Sequence, residues 1–423
     1  MSAAKPVRWL PWMLGALLLV LVPVIFSQGF IRLLFAECAI MIVFALSYNL
    51  LLGVSGMLSF GHAVYSGFGA YATIHALNWI GRTHVAVPVT LLPLVGGFGG
   101  LLAGIVLGYV STRRSGTAFA MITLGLGELV GACWLMFPKF FGGEGGISGN
   151  RTVGAPLFGV PGWNLGSDLQ IDYVVGAWCF ASIVAIRGLL GTPLGRIANA
   201  VRDNPERAEF VGYSARQVRW LMLMASSFFA GISGALAALN FEIVSAENVG
   251  ALRSGEVLLA TFIGGIGYFH GPILGAVVFV FFAVALSQWT QAWQLYLGLF
   301  FVVLVLRAPG GLAALVEHAG VLLSDVSGLR RHARILGTKA AAALIALCGF
   351  ILLVEMTYHR TLEATGGSIV RVFWTDIDTG HAGAWALGCL LLTAGVLTFA
   401  WLRRQELAAW EPASTSASVG DTR

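Results

Sequence analysis

Uncharged runs constrain this chain more than any other feature. Residues 10–31, 38–81, 85–112, 220–241, 257–306 and 382–402 contain no Asp, Glu, Lys or Arg, and three further runs, 115–137, 173–186 and 340–354, hold at most one acid. A helix needs roughly 20 apolar residues to cross a hydrocarbon core, and each run fills or nearly fills that length. Only 11% of the 423 residues are charged, where a water-soluble domain carries about 25%. The chain therefore reads as an all-α, polytopic transmembrane helical bundle embedded in a lipid bilayer. Run 38–81 is long enough for two helices broken at Gly53 to Gly56, and run 257–306 for three short ones with turns near Gly267 to Pro272 and Ser287 to Gln291. The expected count is about twelve crossings, with an error of about two. The first stretch follows Lys5 and Arg8 as a signal peptide would, but no small-residue cleavage site precedes Arg32, so it reads as a first helix.

Basic residues set the orientation, because Lys and Arg collect in the cytoplasmic loops. With the N-terminus inside, Arg113, Arg114, the arginines from Arg187 to Arg219, the basic residues from Arg307 to Lys339, and Arg403 and Arg404 all fall on the cytoplasmic side. That leaves Arg32, Arg82, Lys139, Arg151, Arg253, Arg360 and Arg371 outside, and both termini are expected in the cytoplasm. Two connections are too long for simple turns. The outer one, 138–172, contains the glycine-rich stretch Gly142 to Arg151, able to adopt backbone conformations closed to other residues. The inner one, 187–219, is the most charged part of the chain. Its apolar spacing at Ile197, Ala200 and Val201 suits a helix, and Asn204 suits the N-cap of a second one, with Pro205 at its first position and Glu206 in its first turn. A short helix, a bend and a second short helix on the membrane surface are expected.

Several chemistries find no support. None of the three lysines, Lys5, Lys139 and Lys339, sits in a phosphate-binding loop. The histidines form no HExxH, and Cys38, Cys133, Cys179, Cys348 and Cys389 lie in or beside apolar runs without metal-ligand spacing, so they read as packing residues. No enzyme motif, metal site, cofactor or nucleic-acid partner is expected for the chain itself. What remains are polar groups at membrane depth, which are costly there and tend to face a pathway or a partner. Glu37, Asn49, Ser59, His62 and Glu128 are the candidates. Glu37 also reads as an interfacial residue near Arg32, Asn49 and Ser59 as interhelical hydrogen-bond partners, and His62 as a packed neutral imidazole. Asn49, Ser59, His62 and Glu128 are carried as translocation-path residues, with Glu128 expected near mid-membrane.

Three stretches in order carry a resemblance: Leu46 to Ala72 (LSYNLLLGVSGMLSFGHAVYSGFGAYA), the outer GGEGGISG, and Gly191 to Gly212 (GTPLGRIANAVRDNPERAEFVG). Together with Phe229 to Leu239, Gly264 to Ala276 and Ala308 to Leu312, they resemble the permease subunits of branched-chain amino acid ABC importers, the LivM type, over roughly residues 30–315. Such permeases carry a Glu-Ala-Ala motif, three residues, then Gly, on a coupling helix that docks on the ATP-binding subunit. Here Glu206, Ala208 and Gly212 stand at those offsets, while Arg207 departs from the pattern.

The resemblance implies an ATPase-coupling set of Gly195, Arg196, Arg202, Asp203, Asn204, Glu206, Ala208 and Gly212. It also implies ATP and Mg on partner subunits, and assembly with two ATP-binding subunits, a sibling permease and an extracytoplasmic solute-binding protein in the bacterial inner membrane. The solute would be a branched-chain amino acid by family default, with urea, amides or other small acids served by relatives. A permease core is expected over 1–315 with its coupling loop at 187–219, then a basic cytoplasmic linker over 316–337, two added transmembrane helices within 338–404, and a disordered cytoplasmic tail over 405–423. The alternative reading is a self-sufficient secondary transporter, which would use Glu128 and the glycine-rich breaks for coupling ions.

Overall fold

The computed structural model describes residues 10–26, 28–155, 164–324, 326–362, 369–372 and 375–410. Lys5, Arg8, part of the outer loop and the tail beyond Trp410 lie outside the described residues. Each of the twelve apolar segments expected from the sequence forms a helix. In chain order the helices are α1 (Leu10–Ile25), α2 (Gly29–Asn49), α3 (Ala63–Thr83), α4 (Leu92–Ser111), α5 (Thr117–Met136) and the short α6 (Pro138–Phe141). There follow α7 (Asp168–Gly191), α8 (Pro193–Asp203), α9 (Pro205–Phe210), α10 (Ala215–Phe241), α11 (Ala251–Gly264) and α12 (Gly271–Val280). The last four are α13 (Trp293–Arg307), α14 (Gly311–Ser324), α15 (Val326–Leu362) and α16 (Ala382–Trp410).

Among the described residues eight helices are long and apolar enough to cross a membrane, and a ninth span arises if α13 and the start of α14, bent by 57°, are taken together. The difference from about twelve has a physical origin. α1 has 16 residues and α11 has 14, short of the roughly 20 a perpendicular crossing needs, and α3 is long enough but carries Ser66, Thr73, His75 and Asn78.

The chain divides into two compact units. The first comprises residues 1–286 and 297–315 and is built around α2. That helix is mostly apolar, with no single polar face, as a largely enclosed helix is, and is buried almost continuously from Phe35 to Asn49. Association inside a membrane gains little from hydrophobicity and depends on close packing and interhelical hydrogen bonds. Both are present. Ser226 Oγ donates to Ser47 O (2.5 Å) and Ser233 Oγ to Ile40 O (2.9 Å), tying α10 to α2. Where α4 crosses α10, a Cβ on Gly100 would lie 2.8 Å from Gly231 Cα, so only glycine permits the approach. α2 ends in a π-helical turn, Leu50–Val54, and residues 55–62 are non-helical apart from turns before α3 begins; the break falls where Gly53 to Gly56 placed it.

At one end of this unit the glycine-rich loop folds down. Gly142, Gly143 and Gly146 all take positive φ, and β1 (Ile147–Ser148) pairs antiparallel with β2 (Ile243–Val244) just after α10. Arg151 pins the arrangement. Its Nε donates to Leu165 O (2.8 Å), Nη1 to Asn240 O (3.2 Å) and Nη2 to Asp168 Oδ1 (3.1 Å), while its backbone N–H donates to Glu242 Oε1 (2.8 Å).

The second unit comprises residues 287–296 and 316–423. α15 and α16 pack on each other through glycines, a Cβ on Gly388 lying 2.8 Å from Leu353 Cδ2, and are joined by a hairpin of β3 (Ile369–Val372) and β4 (Thr375–Asp378). Tyr296 Oη donates to Glu355 Oε1 at 2.8 Å. The segment expected as a basic linker is helical, covered by α14 and the first turns of α15, and α16 continues to Trp410, into the segment expected as a tail.

Candidate coupling loop and solute cavity

The charged loop takes the form of two short helices with a bend. Asn204 separates them and caps α9, its Oδ1 accepting the Arg207 N–H at 3.0 Å, while Pro205 opens the helix without wasting a donor. The buried face of α8 is Gly195, Ala198 and Val201; Ile197 is half-buried and Ala200, expected on that face, is exposed. Gly195 lies against the end of α7, where a Cβ would come 2.8 Å from Leu190 Cα. Arg196, Arg202, Asp203 and Glu206 are exposed, Asn204 is half-buried and Ala208 is buried. Ala208 therefore seats α9 on its own bundle and is not itself presented outward. The outward surface is Phe210, Val211 and Tyr213, exposed by 91%, 76% and 46%, a contiguous apolar group that the sequence reading did not single out. Gly212 stands inside it with φ +94°, a left-handed conformation that disfavours any side chain.

Arg202 connects this loop to the break in α2. Its Nη1 donates to Gly53 O in a short hydrogen bond, its Nε pairs with Asp203 Oδ1 at 3.1 Å, and its aliphatic stem lies so close to Gly56 that a Cβ there would be 2.8 Å from Cγ. Around the break sit three of the expected path residues. Asn49, Ser59 and His62 are all buried, and His62 is enclosed by aromatic rings: stacked on Phe44 at 5.6 Å and edge-on to Tyr48 (5.1 Å) and Tyr65 (5.7 Å). Its Nε2 is 3.0 Å from Ser47 Oγ. The chain around it is fastened by Tyr48 Oη to Ser59 O (2.9 Å) and by the Ala63 N–H to Ser254 Oγ (3.0 Å). These contacts close the middle of the bundle. Glu128 is placed elsewhere, exposed on α5 beside exposed Leu129, and is not brought together with the other three.

A polar cavity of about 280 Å³ opens at the opposite end of α10 from the loop, between α2, α3, α10 and α11. None of Asn49, Ser59, His62 and Glu128 lines it. Its charged residues are Glu37, Glu247, Arg253 and Glu256. Arg253 Nη1 and Glu256 Oε2 are 2.8 Å apart, and the Arg253 guanidinium lies 5.9 Å above the Phe44 ring. Arg32, which the sequence reading placed beside Glu37, instead lies 4.0 Å from Asp172 on α7. A larger cavity, about 670 Å³, lies between α1 and α7, but it is lined almost wholly by apolar side chains and offers a polar solute little to bind. Among the described residues no three His, Cys, Asp or Glu side chains come together as metal ligands.

This arrangement, an apolar bundle with a charged two-helix loop at one end and a polar cavity at the other, agrees with what the chain is similar to. Residues 31–308 match the family described as branched-chain amino acid transport system, permease component. Two curated relatives, the high-affinity branched-chain amino acid transport system permease protein LivM of Escherichia coli (strain K12) and that of Salmonella typhimurium (strain LT2), are each 29% identical over 293 residues, covering 64% of this chain and 67% of the relative. No solved structure matches. The family match takes in the loop, the break in α2 and the cavity and stops just before α14, so this membrane protein belongs to the branched-chain amino acid transport system permease family and is a transporter subunit.

Proposed function

We propose that this chain is the membrane-spanning permease of an ATP-driven importer that carries a branched-chain amino acid across the bacterial inner membrane. It would work with a sibling permease, two ATP-binding subunits and an extracytoplasmic binding protein, with its own termini in the cytoplasm. The coupling loop supports the reading most strongly. α8, α9 and the turn after them lie between two membrane-length helices and present Phe210, Val211 and Tyr213 outward, an apolar group on a charged loop that calls for a protein partner. ATP and Mg would sit on that partner, and this chain would hold no cofactor and carry out no hydrolysis.

In this mechanism the closing ATPase dimer moves α9, and the motion passes along α8 to Arg202 and the broken end of α2. The bundle then exchanges an outward-open for an inward-open arrangement, a two-state rearrangement biased by nucleotide. The domain limits follow from the same reading: core 1–315 with coupling loop 187–219, linker 316–337, and an accessory pair of helices within 338–404. The test is co-purification. A tagged permease should bring down its ATP-binding subunit, and Gly212→Asp should abolish the association while the protein still inserts. Undiminished association of Gly212→Asp would remove the loop from the mechanism.

A further inference from the structure

We propose that the cavity between α2, α3, α10 and α11 is a binding site for the zwitterionic head of a single α-amino acid, with Glu37 taking the ammonium group and Arg253 the carboxylate. The inference rests on the importer reading above and adds to it a binding site for the solute within this chain.

The first argument is charge. Glu37 lies on a helix otherwise almost wholly apolar, and Arg253 and Glu256 open α11. Ionisable groups enclosed among the helices of a membrane bundle tend to face a pathway or one another. All three line one cavity. The contact between Arg253 Nη1 and Glu256 Oε2 holds the guanidinium in place and uses one of its five N–H groups. The remaining planar fork matches a carboxylate, and the first-turn position of Arg253 on α11 adds the positive end of the helix. A solute bearing both charges satisfies both partners at once. Urea or a neutral amide carries no charge to meet Glu37 or the free edge of the Arg253 guanidinium.

The second argument is shape. At about 280 Å³ the cavity falls just below the roughly 300–1,000 Å³ of pockets for drug-sized ligands, so it suits one small molecule. Ile40, Ala70, Ala237 and Phe241 supply an apolar wall beside the charges, which suits an aliphatic side chain. The floor is shut. Phe44, under the Arg253 guanidinium, stacks on the fully buried His62, and Ser254, next in sequence to Arg253, accepts the Ala63 N–H. A solute entering from the glycine-rich loop end would be held there until the break in α2 moved.

The experiment uses the full importer with its sibling permease, ATP-binding subunits and binding protein in proteoliposomes. The five native cysteines are replaced by alanine, and Ala237→Cys reports on the cavity to a membrane-impermeant thiol reagent. Leucine-loaded binding protein should slow labelling relative to empty binding protein. Glu37→Gln and Arg253→Gln should each abolish that protection and lower leucine uptake by at least about tenfold, as loss of one member of a buried charge pair does. Basal ATP hydrolysis should persist as the sign of an intact complex, and Arg253→Lys should retain part of the uptake. Leucine import by the parent with no effect of leucine on labelling overturns the site, as does uptake by both charge variants within twofold of the parent. A parent complex that hydrolyses ATP with binding protein present but imports no leucine overturns the importer reading itself.

Discussion

The two ends of α10 differ in construction as the two tasks proposed for them differ. α10 has 27 residues, about 40 Å at 1.5 Å per residue, and is followed at one end by the cavity and preceded at the other by the coupling loop. The loop's outward surface runs consecutively from Phe210 to Tyr213. The cavity takes its charges from positions as distant in sequence as Glu37 and Glu256. A partner that approaches from water needs only one exposed edge, which a short helix and a turn provide. A solute must be surrounded, so its ligands come from several helices, and no single stretch of sequence announces it. Between the two lies the α2 break, in contact with the loop through Arg202 and Gly53.

The largest effect separates the two ends outright. Gly212→Asp strains a left-handed position and puts a charge into the apolar docking surface, and uptake should fall by more than roughly tenfold, ~1.4 kcal/mol or more. Labelling of the cavity reporter should be unchanged without nucleotide. Altered labelling there would mean the ends are not separable. Arg202→Gln comes next. It removes a charged hydrogen bond of about 1.5–3 kcal/mol from the contact with Gly53 while leaving Phe210 and Val211 in place, so the ATP-binding subunit should still co-purify while uptake drops several-fold. Loss of association would assign Arg202 to docking instead of transmission.

Truncation after Leu323 should act on stability more than on transport. It deprives Tyr296 of Glu355 and Gln291 of Tyr358, so the melting temperature should fall while uptake per molecule is retained. A truncated chain of normal abundance that no longer binds its sibling permease would make the second unit part of the assembly. Glu206→Ala is the mildest change, because Glu206 is exposed and a rim charge contributes about 1 kcal/mol or less; uptake measured at two salt concentrations checks it.

What was legible in the sequence is what local chemistry decides. The apolar segments, the break at Gly53 to Gly56 and the Asn204 cap each depend on residues within a turn or two, and each appears in the fold. Position along a helix was readable too, but the direction a side chain faces was not. Glu128 lies well inside α5, yet that helix has no polar stripe to fix its rotation, and the residue is exposed. The same ambiguity hid the exposure of Ala200 on α8. Arg253 entered the sequence reading only as an outer basic residue, and Glu37 was set beside Arg32. Their common cavity depends on how α2 and α11 pack, a tertiary fact carried by Ser, Thr and Gly contacts that have many equivalents among the 55 glycines of this chain.

If energy enters at the loop and solute at the cavity, one measurement addresses both. Leucine uptake is followed in proteoliposomes holding the assembled complex, with ATP or a proton or sodium gradient as the alternative sources of energy. Accumulation is expected with ATP and loaded binding protein, none with either gradient alone, and none from this chain without its ATP-binding subunits. Gradient-driven accumulation by the permease alone would contradict this expectation and identify a self-sufficient secondary transporter.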